Sequence, residues 1–344
     1  MVMAEFLAES HRVTFEVAGI ASSTSRIEER AEALLEQLRR VVPFQAARIG
    51  LLDPERGAPA SLASQGYDDA VSAYYDSPAV VEEFELLGLD RSRPPILIRD
   101  LPVSPAEVHG WAQFLQPAGF REGLAVGLFT ADGRHLGVLG LNTDTEAHPT
   151  DAARDLIGRL APMIAYAVDP MRSIVAVAEL VHDATAGIVL TRAGNTLPVP
   201  GLPTHSLLSQ DSPLLAVVAQ QLAGAPHHMS FLCPYSEQED LDSHVRVTVL
   251  PCAPQPGYCL AAIVVMSRPG ALYGLTPREL AILGLLVEGW SNQRIAAALC
   301  ITARTVATHV EYVLAKLGAQ SRALAAVRAL NQGLYVPHLL HSPP

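Results

Sequence analysis

The stretch LTPRELAILGLLVEGWSNQRIAAALCITARTVATHVEYVLAKLGAQSRALAAVRALNQGLYVP, residues 275–337, reads as four consecutive helices. Thr276 is the N-cap of the first, its side-chain oxygen taking up one of the amide N–H groups that a helix start leaves unpaired. Pro277 suits the first helical position, where a missing N–H costs nothing, and Glu279 reaches back to the Thr276 backbone to complete a capping box. Leu280, Leu283 and Val287, with Leu286 beside them, make the apolar stripe, and Gly289 supplies the left-handed residue that ends the helix. Ser291 caps a short helix, NQRIAAAL, with Ile295 and Leu299 turned inward. CIT (300–302) is a tight turn. Thr302 caps the next helix, ARTVATHVEYVLAKL, which is expected to bury Val306, Val310, Val313 and Leu317. A last helix follows Ser321, with Leu324, Val327 and Leu330 on one face.

Two helices joined by a short turn and braced by a helix on either side form a helix-turn-helix. A single helix fits the major groove of B-form DNA, and the helix before it crosses the backbone and fixes its angle. Charge is distributed to match. The whole chain carries 24 basic and 35 acidic side chains, a net −11, yet residues 275–336 are +3 and the remainder is −14. A globally acidic protein is not a general polyanion binder, so a nucleic-acid surface here has to be local.

The residues LTPRE, EGWSNQRIAAAL, RTV, HV and VLAKLG, in that order and register, resemble the LuxR-type DNA-binding domain of bacterial transcription regulators. The resemblance covers about 60 residues, under a fifth of the chain. It implies a three-helix core and a fourth helix that helps dimerise, with double-stranded DNA as partner and a homodimer on a two-fold site. Many members have lysine directly after Thr-Val, where this chain has Ala307, and Glu311 stands at a further position that is basic elsewhere. The candidate base readers are then Arg304, for guanine, and Thr308, for a thymine methyl, with His309 beside them. Ser291, Asn292, Arg294, Thr302 and Lys316 are candidate phosphate contacts, the two caps through the amides they flank. Thr305 and Ala307 complete the candidate DNA-binding set, although Thr305 and Val306 also read as cap and core.

Upstream, SRIEERAEALLEQLRRVV (25–42) has helical spacing, a Ser25–Glu28 capping box and Pro43 to stop it. AARIGLLD (46–53) reads as a strand closed by the turn PERG. EGLAVGLFTADG (122–133) and HLGVLGLNTD (135–144) form a hairpin turning near Asp132-Gly133, and a helix capped by Thr150 or Asp151 runs over about 151–168. PFQAARIGLLD, LGVLGLN and DAARDLIGRLAPMIAYAV resemble parts of a GAF domain, a small-molecule sensor or dimerisation module built on an antiparallel sheet. The resemblance implies a pocket in the middle region, where Tyr74, Tyr75, Trp111 and Phe114 are candidate ligand contacts for a small-molecule effector, with ordinary core aromatics the competing reading. Asn142 stands where cyclic-nucleotide-binding members start an Asn-Lys pair, but Thr143 replaces the lysine, which argues against cyclic GMP. The segment has no cysteine, so covalent tetrapyrrole attachment is excluded. In 171–270, AGIVLT, HVRVTVLP and CLAAIVVM read as strands and 213–223 as a helix, a small α/β domain that faintly resembles a PAS fold.

The expected fold is therefore multidomain, α/β plus all-α. It comprises a GAF-like α/β sandwich over 1–170, a PAS-like α/β domain over 171–270, a four-helix helix-turn-helix domain over 271–337, and a tail from 338 to 344. No cofactor, metal or catalytic residue is expected. The four cysteines, Cys233, Cys252, Cys259 and Cys300, have no CxxC spacing and read as buried reduced thiols. Lys316 is the only lysine, which removes the GxxxxGK[ST] phosphate loop and a phospho-acceptor receiver domain. There is no G-x-S-x-G or H-E-x-x-H motif, and the adjacent pair His182-Asp183 would not face one another on a helix, so an enzyme finds little support. The N-terminus lacks a signal-peptide pattern and the apolar runs are far short of the roughly 20 residues that span a bilayer, so a cytoplasmic protein is expected. The function indicated is a sequence-specific transcriptional regulator whose acidic N-terminal region controls the helix-turn-helix. An acyl-lactone-type receptor regulator and an interaction scaffold with a degenerate DNA-binding helix are the alternatives.

Overall fold

The computed structural model describes residues 3–53, 57–181, 183–224, 228–235, 244–252 and 260–340. Cys259, His182 and most of the PERG turn lie outside them. The chain falls into two compact units that meet in sequence at Arg172 and Ser173.

The first unit is built on a five-stranded antiparallel sheet of β1 (Ala46–Asp53), β2 (Ala58–Gln65), β3 (Ile96–Leu97), β4 (Glu122–Phe129) and β5 (His135–Thr143), in the order β2-β1-β5-β4-β3. One face carries Ile49, Leu51, Leu124, Val126, Leu139 and Leu141. These side chains are covered by α2 (Ile27–Leu38) and α5 (Asp151–Ala167), on which α1 (Met3–Ser22) packs in turn. In α5 the stripe Leu156, Leu160, Ile164 is fully enclosed, and Thr150 is the cap, accepting from the Ala153 N–H at 3.2 Å. The expected Ser25–Glu28 box is displaced by one residue: the Arg26 backbone N–H donates to Glu29 at 3.3 Å. Helix α1 was not expected from the sequence. Phe6, Ser10, Val13, Val17 and Ala21 recur at helical spacing and are buried, but polar residues interrupt the run and mask its period. The opposite sheet face is covered by α3 (Asp69–Tyr75), α4 (Ala79–Leu87) and a π-helical turn at Trp111–Leu115.

In the second unit, β6 (Ala184–Thr191), β7 (Thr196–Pro198), β8 (Met229–Pro234), β9 (His244–Pro251) and β10 (Leu260–Ser267) form another antiparallel sheet, in the order β7-β6-β10-β9-β8. Numbered within its own unit, each sheet has strand order 2-1-5-4-3, so the two share one topology. Helix α6 (Met171–Glu179) precedes the second sheet and α7 (Pro213–Gly224) lies between β7 and β8. Strand β8 was missed in the sequence, because MSFLCP shows no alternation. The C-terminal helices are α8 (Pro277–Val287), α9 (Asn292–Ala298), α10 (Ala303–Leu317) and α11 (Arg322–Gln332). They share one apolar cluster with the sheet, joining Phe231, Leu232 and Val247 to Leu280, Leu283 and Tyr335. The segments expected as 171–270 and 271–337 thus meet in a common core. Among the described residues, no single helix is long and apolar enough to cross a membrane.

Candidate nucleic-acid interface and buried cavity

The capping chemistry read from the sequence positions the C-terminal helices. Thr276 Oγ1 accepts from the Glu279 N–H at 3.3 Å and Glu279 Oε2 accepts from the Thr276 N–H at 2.7 Å. Ser291 caps α9 through the Arg294 N–H at 3.3 Å, and Thr302 caps α10 through the Thr305 N–H at 3.1 Å. Gly289 and Gly318 both sit at positive φ, ending α8 and α10. Cys300 also takes a positive φ, 52°, in the turn before α10. It is exposed, against the expectation of a buried thiol, because the turn points its side chain outward. Cys233 fits that expectation and Cys252 is only half-buried, though burial pushes both thiols up to about 11.

Val306, Val313 and Leu317 anchor α10 in the core, while Val310, expected with them, is only half-buried. The opposite side presents Arg304, Thr305, Thr308 and Tyr312 to solvent. Tyr312 was not among the candidates. It is 55% exposed and lies one turn beyond Thr308, a spacing that a count of fours from Arg304 would have found. Thr308 Oγ1 donates to the Arg304 carbonyl at 3.3 Å, which leaves its methyl free to make apolar contact. Ala307 and His309 are half-buried at the flanks of this face, and His309 Nδ1 has no partner within the described residues.

The basic side chains divide sharply. Lys316 Nζ donates to Glu279 Oε2 at 2.7 Å and to the Gly274 carbonyl at 2.8 Å, so its charge is spent inside the domain. Burial pushes the Glu279 carboxyl up, and the hydrogen bonds from Lys316 and Thr276 outweigh it, leaving the group below its ordinary range. Arg278 donates to the Leu299 carbonyl at 2.7 Å, Arg322 to the Trp290 carbonyl and Arg328 to the Leu317 carbonyl. Arg294 lies over the Trp290 ring, 3.8 Å from its centroid, a stacking contact that keeps its guanidinium at the surface near the start of α9. Arg304 stands exposed with no protein partner among the described residues. Ser291 and Thr302 are exposed at their helix starts and Asn292 is half-buried.

The first unit contains a partly open cavity, with about 70 Å³ of room for the centres of water-sized spheres, on the sheet face away from α1, α2 and α5. Of the four candidate ligand contacts, Tyr75 and Trp111 line it. Tyr74 and Phe114 are stacked on each other instead, with ring centroids 4.5 Å apart, in the wall behind. Of the polar groups of this cavity, the sequence reading weighed only Asn142, and only against a cyclic nucleotide. Arg48 on β1 and Asn142 on β5 are both at least nine-tenths buried, and Glu83 on α4 completes the set. Their alternation with the leucines and isoleucine of the same strands could have indicated that β1 and β5 have a second covered face. Among the described residues, no three His, Cys, Asp or Glu side chains are grouped to hold a metal ion.

Residues 274–329 match the family model of bacterial regulatory proteins of the luxR family, named GerE. The C-terminal part of the chain is therefore a LuxR-type helix-turn-helix domain. The chain is also similar to the response regulator protein VraR of Staphylococcus aureus and of Staphylococcus epidermidis, at 46% identity over 70 residues in each case. That is 20% of this chain and 34% of theirs, so the chain spans about a third of the length of these curated relatives. The chain is similar to two solved structures. A GAF domain of a phosphoenolpyruvate-protein phosphotransferase from Coxiella burnetii has a TM-score of 0.38 and 20% identity, over 50% of this chain and 96% of its own. A bacteriophytochrome from R. palustris has a TM-score of 0.40 and 11% identity, over 78% and 65%.

Proposed function

We propose that the protein is a cytoplasmic, sequence-specific transcriptional regulator and not an enzyme. In this reading α10 lies in the DNA major groove and the N-terminal unit responds to a small molecule. The observation that carries the reading is the division of α10. Val306, Val313 and Leu317 are buried, whereas Arg304, Thr305, Thr308 and Tyr312 form an open face between two capped helix starts whose amide N–H groups suit phosphates. Thr308 meets thymine methyls and Arg304 pairs with guanine in a direct readout of the sequence.

The domain acts as a homodimer through α11. Ala325 and Ala329 face the core, while Val327 and Leu330 are 51% and 47% exposed on the outer side, three residues apart and therefore adjacent on the helix surface. An exposed apolar pair on a helix that ends a DNA-binding domain suits a second copy related by a two-fold axis. Selection of bound genomic fragments by the full-length protein tests the reading. A discrete, two-fold symmetric site whose affinity falls steeply with salt supports it. Absent or salt-insensitive binding overturns it in favour of an interaction scaffold, the alternative that Ala307 and Glu311 favour.

A further inference from the structure

We propose that the cavity of the first unit binds a small apolar molecule carrying one anionic group, a monocarboxylate, with Arg48 and Asn142 as its polar anchors. The inference rests on the reading of this unit as a ligand-responsive module and supplies the chemistry of the ligand.

The floor of the cavity is a patch of the sheet almost without side chains. Gly50 on β1, Gly123 and Ala125 on β4 and Gly140 on β5 all line it. Arg48 pairs across the sheet with Gly140, and Gly123 pairs with Asn142, so the bare patch and the two polar side chains share one face. A Cβ added at Gly140 would meet nothing within 4 Å, so open space lies directly above it. At Gly50 an added Cβ would come within 3.1 Å of Arg48 Nε, and at Gly123 within 2.6 Å of Asn142 Nδ2. These two glycines let the guanidinium and the amide lie down over the floor. The walls, including Phe84, Leu89, Trp111 and Leu115, are apolar.

The polar groups select the ligand by elimination of their existing partners. Asn142 Oδ1 accepts from the Tyr67 hydroxyl at 2.6 Å, which fixes the amide and turns its Nδ2 donor over the floor. Glu83 Oε2 accepts from the Tyr74 hydroxyl at 2.6 Å and from the Gly110 N–H at 2.7 Å, so this oxygen of the lining carboxylate is held by the wall. Arg48 donates through Nη2 to Asp76, a half-exposed residue at the C-terminal end of α3, at 2.6 Å, and the rest of its planar fork lies in the buried cavity wall. Burial pushes the Tyr75 hydroxyl up to about 12, so no phenolate adds to the Asp76 carboxylate beside the guanidinium. What the cavity offers a ligand is therefore a pair of buried donors, one of them charged, and an apolar enclosure. A buried guanidinium is well matched to a carboxylate, whose two oxygens fit its fork.

Three probes with one body separate the possibilities: phenylacetate, phenylacetamide and phenethylamine, with octanoate, octanamide and octylamine as an aliphatic set. Binding to the full-length protein is followed by saturation-transfer NMR and calorimetry. Phenylacetate or octanoate is expected to bind at least about tenfold more tightly than its amide, the difference expected of one charge-assisted hydrogen bond. Arg48→Met should abolish that preference, Arg48→Lys should restore part of it, and Gly140→Leu, whose Cβ enters the open space with nothing within 4 Å, should abolish binding of every probe. Circular dichroism checks that each variant is folded. Equal binding of acid and amide, a preference for the amines, or a carboxylate preference that survives Arg48→Met overturns the anionic assignment while leaving a ligand cavity in place. Failure of all six probes to bind, with the wild type behaving as Gly140→Leu, overturns both the assignment and the ligand-responsive reading beneath it.

Discussion

Arg304 carries the most information at the level of single residues, because it stands exposed on α10 with no protein partner among the described residues. Replacing it with alanine removes no internal contact, so the melting temperature should hold while operator binding weakens by about 1–3 kcal/mol and discrimination at one base position relaxes. Gel-shift titrations on the selected site and on single-base variants check this, and a uniform loss on every sequence would mark Arg304 as a phosphate contact. Lys316 behaves in the opposite way. Its ammonium sits 2.7 Å from the buried Glu279 carboxylate, so Lys316→Met should lower stability more than it lowers DNA affinity. The same pair sets a pH dependence. The folded-state Glu279 carboxyl titrates below its unfolded value, so its contribution is complete above the ordinary carboxylate range and is lost as the pH falls through the lowered folded value. Urea unfolding of Glu279→Gln beside the wild type, from neutral pH into the acid range, should show the wild-type advantage shrinking toward acid.

Each element of the C-terminal domain is written in its caps, which is why its boundaries could be read before any coordinates. Thr302 holds the start of α10, and Thr302→Ala should cost about 1 kcal/mol of stability. Thermal or urea melts of the full-length protein measure it. The close approach at Gly284 was not legible. A Cβ there would overlap the carbonyl oxygen of Val336, since the chain after α11 runs back across α8. Gly284→Ala should therefore lower the melting temperature although alanine is the better helix former, a sign opposite to that expected from propensity alone. In α11 the sequence placed Leu324, Val327 and Leu330 on one face and left open which face is covered. The structure buries Ala325 and Ala329 and leaves Val327 and Leu330 outside. Val327→Asp should convert a dimer to a monomer in sedimentation experiments with little change in the folded domain.

Across the whole molecule, charge and core decide different things. Residues 275–336 hold six basic side chains, but four of them bond to backbone carbonyls or to Glu279, leaving Arg294 and Arg304 outward. Counterion release then predicts a slope of log affinity against log salt of about −2 per protomer, shallower than six free charges would give. The shared core has its own consequence. The Leu232 N–H donates to the Tyr335 carbonyl at 2.8 Å, Arg246 to that of Gln332 at 2.9 Å, and Gly333 lies against Ser230 so closely that a side chain would not fit. A fragment starting at residue 271 should therefore melt at a lower temperature than one starting at 173, because it exposes apolar surface that the sheet otherwise covers.

The sequence by itself determined the helix-turn-helix, its caps and its order. Those features rest on contacts between residues three or four apart, and such contacts are fixed by local chemistry. It also determined β1, the β4–β5 hairpin and the stripe of α5, whose periods are regular. Only the tertiary structure decided which charges remain free, that the second sheet and the C-terminal helices close one core, and that Arg48 and Asn142 meet above a glycine floor. Those outcomes depend on residues tens to a hundred positions apart being brought together by strand register. No local pattern records which distant backbone will approach.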